Sequence, residues 1–160
     1  MEAVLRSSKN EPVSLSKFRG KPVILFFEDR KSTFQNEALK KDLFERGKAR
    51  GLLNAAHVVA VADLKGYDFF PARIFALGAV RDVEKKFGIP VLVDWKRVLC
   101  APPFKLPAET SSVMVLDPRG EPVFLRSGTL GADDKSALFA ALAAQLGVDL
   151  NDAAKDRSSP

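Results

Sequence analysis

The segment KPVILFFEDRKSTFQNEALKK, residues 21–41, decides the fold because a continuous apolar run passes directly into a helical pattern. The run KPVILFF is typical of a strand that is covered on both faces. From Ser32 onward the apolar residues follow helical spacing, and Ser32 with Gln35 makes a capping-box pattern. The segment therefore predicts a buried strand followed at once by a helix.

The same alternation continues along the chain. HVVAVAD, residues 57–63, and IPVLVDW, residues 89–95, predict two more buried strands. Between them, Pro71 is predicted to be the first residue of a helix that ends at Gly88. The apolar stripe predicted for this helix consists of Phe75, Ala79, Val83 and Phe87.

The second half of the chain predicts a hairpin and a final helix. Residues 111–128 alternate as two strands around the turn Asp117-Pro118-Arg119-Gly120. The last helix is predicted to begin near Ala132 and to end at Gly147. Residues 96–110 contain three prolines, which rules out a long helix there.

This order predicts one domain at residues 20–147, after a polar lead-in at 1–19 and before a disordered tail at 148–160. Strands that alternate with helices require parallel pairing with right-handed crossovers. The hairpin adds antiparallel strands to the same sheet. We therefore expect an α/β fold, a three-layer α/β/α sandwich whose mixed sheet ends in a C-terminal antiparallel hairpin.

Composition limits the function classes. The 160 residues are 46% hydrophobic, enough for one core, and the net charge of +5 is dispersed, which does not favour nucleic-acid binding. The single cysteine excludes an internal disulfide and a cysteine metal cluster, so we expect no metal and no cofactor. The sequence as written shows no signal peptide and no membrane span, which predicts a cytoplasmic protein, or a periplasmic one if a leader precedes it.

Two segments carry a family resemblance. GKPVILFFEDRKSTFQNE resembles the strand and active-site segment of the thioredoxin-like superfamily, and SSVMVLDPRGEPVFLRSG resembles its hairpin. The likeness is to the larger form shared by peroxiredoxins and membrane-tethered thiol-disulfide reductases. More narrowly, VADLKGYDFFPARIF, VDWKR and ETSSVMVLDPRG resemble the poorly characterised YtfJ-like branch.

The resemblance places the two catalytic cysteines of the superfamily at Lys31 and Phe34. Neither side chain can form a thiolate, so the thiol exchange of dithiol oxidoreductases is excluded at these positions. The cis-proline of the superfamily corresponds to Ser111, where we expect a trans peptide because a cis bond before serine costs about 2.5–4 kcal/mol. The degenerate active-site position therefore consists of these residues as binding candidates: Arg30, Lys31, Ser32, Thr33, Phe34 and Ser111.

Two alternative functions use other chemistry. A one-cysteine redox or peroxide-responsive protein would work through Cys100, whose pKa Lys96 and Arg97 could lower. A small-anion binder would use the helix N-terminus at residues 30–35, although Ser32 and Thr33 there are equally typical of simple capping. Acids at the strand ends suit Mg²⁺, but no phosphate loop supports such a site.

The aromatic loop between the second strand and the next helix contains Tyr67, Phe69 and Phe70, and Trp95 follows the third strand. If these rings are exposed, they form the best protein-binding candidate on the chain. We therefore expect a protein- or peptide-binding or regulatory module without dithiol chemistry, which favours a non-enzyme and leaves an enzyme that works through Cys100 as an open alternative. The sequence does not name the partner or the pathway.

Overall fold

The computed structural model describes residues 1–147, except for the side chains of residues 46–50 and 52–53. The apolar runs of the sequence become strands, as β-branched and aromatic residues favour. The seven strands are β1 Val4–Arg6, β2 Pro12–Ser14, β3 Val23–Glu28, β4 His57–Asp63, β5 Val91–Asp94, β6 Ser112–Leu116 and β7 Pro122–Ser127.

The helices follow the strands closely. The α-helices are α1 Glu37–Arg50, α2 Leu52–Ala55, α3 Ala72–Phe87 and α4 Ala132–Leu146, and 3-10 turns lie at Leu15–Phe18 and Val98–Cys100. The left-handed glycines Gly88 and Gly147 end α3 and α4 as predicted. Pro71 precedes α3 as its cap rather than opening it. None of the described helices is long and apolar enough to cross a bilayer.

The predicted start of α1 is wrong. The helix begins at Glu37 and not at Ser32, because residues 30–36 form consecutive turns. The Ser32 amide donates to the Asp29 carboxylate, and the Asp29 amide donates to the Ser32 hydroxyl. Ser32 therefore closes a turn directly after β3 and does not cap α1. A capping-box spacing in the sequence therefore does not by itself fix where the helix starts.

The sheet is mixed, in the order β2-β1-β5-β4-β3-β6-β7. β3 pairs in parallel with β4, and β4 pairs in parallel with β5. β6 and β7 form the antiparallel hairpin beside β3. The predicted α/β fold class, with its mixed sheet and C-terminal hairpin, is confirmed.

The two faces of the sheet are covered differently. On one face, Ile24 and Phe26 of β3 pack under α1 and α4, and Val91 and Val93 of β5 pack under α3. On the other face, the core contacts come from 3-10 turns and extended chain rather than from α-helices. The side chains that cover this second face are Ala3, Leu5, Leu15, Phe18, Leu99, Phe104 and Leu106.

The first 19 residues are part of the folded unit. β1 pairs with β5 and with β2, so the lead-in adds two strands to the sheet. Leu5, Leu15 and Phe18 are buried in its core. The sequence alone describes this region only as a polar lead-in, because short edge strands carry too few residues for a periodic signal. The tail at 148–160 lies outside the described residues.

The solvent face of α3 differs from the sequence-based stripe. Leu77 and Val80 are its buried residues, whereas Phe75, Val83 and Phe87 are exposed. Phe87 contacts a neighbouring helix, since its ring stacks on Phe44 of α1 at 5.9 Å. The apolar stripe of α3 therefore covers little of the core and leaves large side chains on the surface.

Candidate functional site

The candidate site lies at one edge of the sheet, where the parallel strands end. Glu28 of β3 lies opposite Ala62, and Asp63 of β4 lies opposite Asp94 of β5, so the three strands finish together. β6 runs antiparallel to β3 and begins at this edge, with Ser112 opposite Phe27. Ligands of open α/β sheets bind at this edge, because the loops that follow the strands converge there.

The turn after β3 closes on itself. The Ser32 amide donates to the Asp29 carboxylate at 2.9 Å, and the Asp29 amide donates to the Ser32 hydroxyl at 3.0 Å. The amides of Ser32, Gln35 and Glu37 donate to carbonyl oxygens within the same segment. Three N–H groups that an anion would need are therefore used internally, which gives the small-anion alternative no support.

Ser111 is the centre of a buried hydrogen-bond network. Its hydroxyl accepts from the Asn36 amide nitrogen at 2.8 Å and donates to Glu28 at 2.6 Å. Its backbone amide donates to Gln35 at 3.0 Å. The peptide bond before Ser111 is trans, as expected. Ser111 thus joins the segment after β3 to the start of β6.

Asn36 connects this network to the segment after the hairpin. Its amide nitrogen also donates to the Gly128 carbonyl at 2.9 Å, and its side-chain oxygen accepts from the Leu130 amide at 2.9 Å. Asn36 is buried. Among the described residues, no buried side-chain nitrogen or oxygen lacks a hydrogen-bond partner. The network is therefore satisfied without a ligand, and it stabilises the fold.

Glu28 and Lys40 form an ion pair at the same place. Lys40 also donates to the Thr33 carbonyl at 3.1 Å. Burial raises the pKa of Glu28 above its usual value, although Lys40 and the Ser111 hydroxyl both lower it. This carboxylate is held by its own chain and is closed to substrate.

The other acids at the strand ends are also engaged. Asp63 accepts from the Arg97 guanidinium at 2.8 Å, and Asp94 accepts from the backbone amides of Val98 and Leu99. No group of three histidine, cysteine or acidic side chains within the described residues is arranged to hold a metal ion. These carboxylates thus fix the loops that follow the strands.

Cys100 lies in the second 3-10 turn and is half-buried. Burial raises the pKa of its thiol, and the Asp63 carboxylate raises it further. Arg97 and Lys65 lower the pKa, but not enough to reverse the shift. A thiol with a raised pKa has little thiolate at neutral pH, so the geometry does not support the one-cysteine alternative.

The aromatic segment, defined here as Tyr67, Phe69, Phe70, Ile74 and Phe75, contains the most exposed rings of this edge. Phe70 is 82% exposed and Phe75 is 74% exposed. Hydrogen bonds from the Arg73 amide to the Phe69 carbonyl and from the Ile74 amide to the Pro71 carbonyl hold the segment to the start of α3. Large apolar side chains in a fixed, exposed arrangement are typical of an interaction surface.

Trp95 is half-buried rather than exposed. Its indole N–H donates to the Asn10 side chain at 2.9 Å, and the Arg73 guanidinium lies 6.0 Å from its ring centre.

The structure separates the residues predicted for the degenerate active-site position into a buried group and an exposed group. Ser111 is buried in the network and Ser32 is buried in the turn after β3, whereas Arg30, Lys31, Thr33 and Phe34 are exposed.

Sequence reasoning missed Asn36 and Asn10 as hydrogen-bonding residues, and it assigned Gln35 to a capping box although this side chain accepts from the Ser111 amide. Their partners lie between 75 and 94 positions away along the chain. A local pattern carries no signal for such contacts. Asn36 could have been noticed only as an amide that directly precedes a helix.

None of the protein-family models and none of the curated proteins compared with the chain matches it. Solved structures do. A DsbF homologue from Corynebacterium diphtheriae superposes with a TM-score of 0.63 at 20% identity, covering 89% of this chain and 83% of that one. A secreted disulfide oxidoreductase from Mycobacterium tuberculosis gives a TM-score of 0.60 at 19% identity, covering 89% and 95%.

A third similar structure is peroxiredoxin Q from Xanthomonas campestris, with a TM-score of 0.60 at 20% identity over 89% of this chain and 90% of that one. The chain has the thioredoxin-like fold. The superfamily resemblance is thereby confirmed at the level of the fold, while the narrower likeness to YtfJ-like proteins stays a prediction. Lys31 and Phe34, at which the sequence resemblance puts the cysteine pair, are both exposed, and Phe34 is 69% exposed.

Proposed function

We propose that this thioredoxin-fold protein is a protein- or peptide-binding module that has no dithiol redox chemistry. The observation that carries the proposal is the exposure of the aromatic segment at the edge where the parallel strands end. Aromatic side chains that are enriched at an exposed patch contribute most of the binding energy of many protein interfaces.

The degenerate active-site position supports a binding role over catalysis. A dithiol reaction needs two cysteines, and the chain has one. The polar groups of Ser111, Asn36 and Glu28 are paired with one another and leave no reactive group turned outward. Phe34, beside them, adds an exposed ring to the same edge as the aromatic segment.

The proposal is tested by affinity capture from the native lysate with matched variants. The double variant Phe70→Ser/Phe75→Ser removes the two most exposed rings of the aromatic segment. The control Val123→Ser/Leu125→Ser removes two exposed apolar side chains from β7, at the far end of the sheet.

We expect the wild type and the β7 control to capture the same partner in equal amounts. The double variant should capture at least about tenfold less of it. Equal capture by all three proteins would show that the aromatic segment is not the binding surface. Loss of capture with the β7 control instead would place the surface at the other edge of the sheet.

A further inference from the structure

A cavity of about 420 Å³ lies between β1, the carboxyl end of β5 and the first turn of α3. Its volume is in the range of ordinary ligand pockets. Val4 and Val93 form apolar parts of its wall, and the indole of Trp95 forms another. The cavity belongs to neither the Ser111 network nor the Cys100 turn.

Some of the charged side chains that line the cavity have partners and others do not. The Asp68 carboxylate accepts from the Arg73 guanidinium at 2.7 Å, and the Asp94 carboxylate accepts from backbone amides. Arg6 and Lys96 are exposed, and neither forms an ion pair with any residue that the structure describes. The wall therefore presents two cations that have no acidic partner among the described residues, and an indole ring lies beside them.

The position of Arg6 is fixed by the fold. Arg6 lies opposite Val93 in the β1–β5 pair, and its guanidinium donates to the Asn10 carbonyl at 3.2 Å. The same Asn10 accepts from the Trp95 indole, so one residue positions both walls. An arginine held by one hydrogen bond keeps further N–H donors for a planar anion.

The cavity adjoins the aromatic segment. Asp68 lies between Tyr67 and Phe69 in the chain and lines the cavity, and Arg73 connects Asp68 to the Trp95 ring. A ligand seated at Trp95 thus reaches the exposed ring of Phe69 within a few residues of extended chain. A free small anion has no part that uses this apolar surface.

We propose that this cavity, with the aromatic segment beside it, binds an acidic peptide segment of a partner protein. A carboxylate of the partner lies between Arg6 and Lys96, and a nearby apolar side chain packs on the aromatic segment. This inference rests on the proposed binding function and adds the chemistry of the partner. A nucleic-acid strand fits less well, because it carries a phosphate at every step of its path, whereas the wall offers two cations, Arg6 and Lys96, without an acidic partner among the described residues.

The test uses the fluorescence of Trp95, the only tryptophan of the chain. The probes are two capped peptides of about eight residues, a length that spans cavity and segment when extended. The first alternates glutamate with phenylalanine or leucine, and the second carries glutamine in place of each glutamate. Succinate, inorganic phosphate, oligothymidylate and vesicles with anionic lipid are titrated in parallel.

We expect the glutamate peptide to change the Trp95 emission and to bind at least about tenfold more tightly than the glutamine peptide, the factor expected for a charge-assisted hydrogen bond. The variant Arg6→Gln/Lys96→Gln should lose about the same factor, whereas Lys41→Gln, an exposed cation on α1, should bind as the wild type does. Each variant is checked for folding by circular dichroism.

Equal binding of the two peptides would overturn the acidic specificity. Tighter binding of succinate or phosphate would make the cavity a free-anion site, and tighter binding of oligothymidylate or vesicles would replace the peptide by another class of partner. The proposed function is judged separately: if the Phe70→Ser/Phe75→Ser variant loses its captured partner while the glutamate peptide fails to bind, only the acidic-peptide inference falls.

Discussion

Two regions at the same edge of the sheet differ in the burial and pairing of their polar groups. Around Ser111, the polar side chains of Glu28, Asn36 and Ser111 are buried and bonded to other parts of the chain. Around Trp95 and the aromatic segment, rings are exposed and the two cations Arg6 and Lys96 have no acidic partner within the described residues. The comparison contrasts a buried network that stabilises the fold with a neighbouring surface that has the features of a binding site.

The largest expected effect is in the buried network. Asn36→Ala removes three hydrogen bonds and leaves the Leu130 amide and the Gly128 carbonyl without this partner. We expect the free energy of unfolding, measured with urea, to fall by about 2–4 kcal/mol. Gln35→Ala, which removes a single acceptor, is the control and should cost about 1 kcal/mol. A loss below that of the control would mean that the network does not stabilise the edge.

The next effect depends on pH. Because burial raises the pKa of Glu28 in the folded state, the stability that its protonated form provides is present below its usual value of 4.5 and is lost as the pH rises through the folded-state pKa. Lys40→Met removes the positive charge that opposes this rise. We therefore expect the loss of stability in this variant to grow between about pH 4 and about pH 7, reaching about 1–3 kcal/mol at the upper end.

The control for this titration is the double variant Glu28→Gln/Lys40→Met, which removes the ionisable group. Its stability relative to the single variant Glu28→Gln should not change with pH over the same range. A Lys40→Met curve that runs parallel to the wild-type curve at every pH would show that the Glu28–Lys40 pair contributes no pH-dependent energy.

The smallest expected effect on stability is in the aromatic segment. Phe70→Ser/Phe75→Ser removes side chains that are already exposed, so thermal or urea unfolding should change by no more than about 0.5 kcal/mol per site. Leu142→Ala, at a fully buried position of α4, should cost about 2–5 kcal/mol in the same assay. A double variant as unstable as the Leu142 variant would show that the segment belongs to the core.

The sequence alone determined the fold class, because the apolar runs of β3, β4 and β5 and the hairpin turn are local signals. Asp117 accepts from the amides of Arg119 and Glu121, and Gly120 has a φ of 88°, as the Asp-Pro-Arg-Gly pattern predicts. The single cysteine likewise excluded dithiol chemistry without any coordinates. Such properties depend on residue type and spacing over a few positions.

The tertiary structure decided which residues of the candidate site are available. Ser32 and Ser111 were predicted together with Arg30 and Phe34, yet the first two are buried and the last two are exposed. The helix α1 begins at Glu37 and not at the predicted Ser32, because Asp29 and Ser32 form hydrogen bonds with each other. The cavity at Trp95 joins residues from β1, β5 and α3 that are far apart in the chain. Burial and charge pairing depend on contacts between residues that are distant in the chain, and a local sequence pattern carries no information about such contacts.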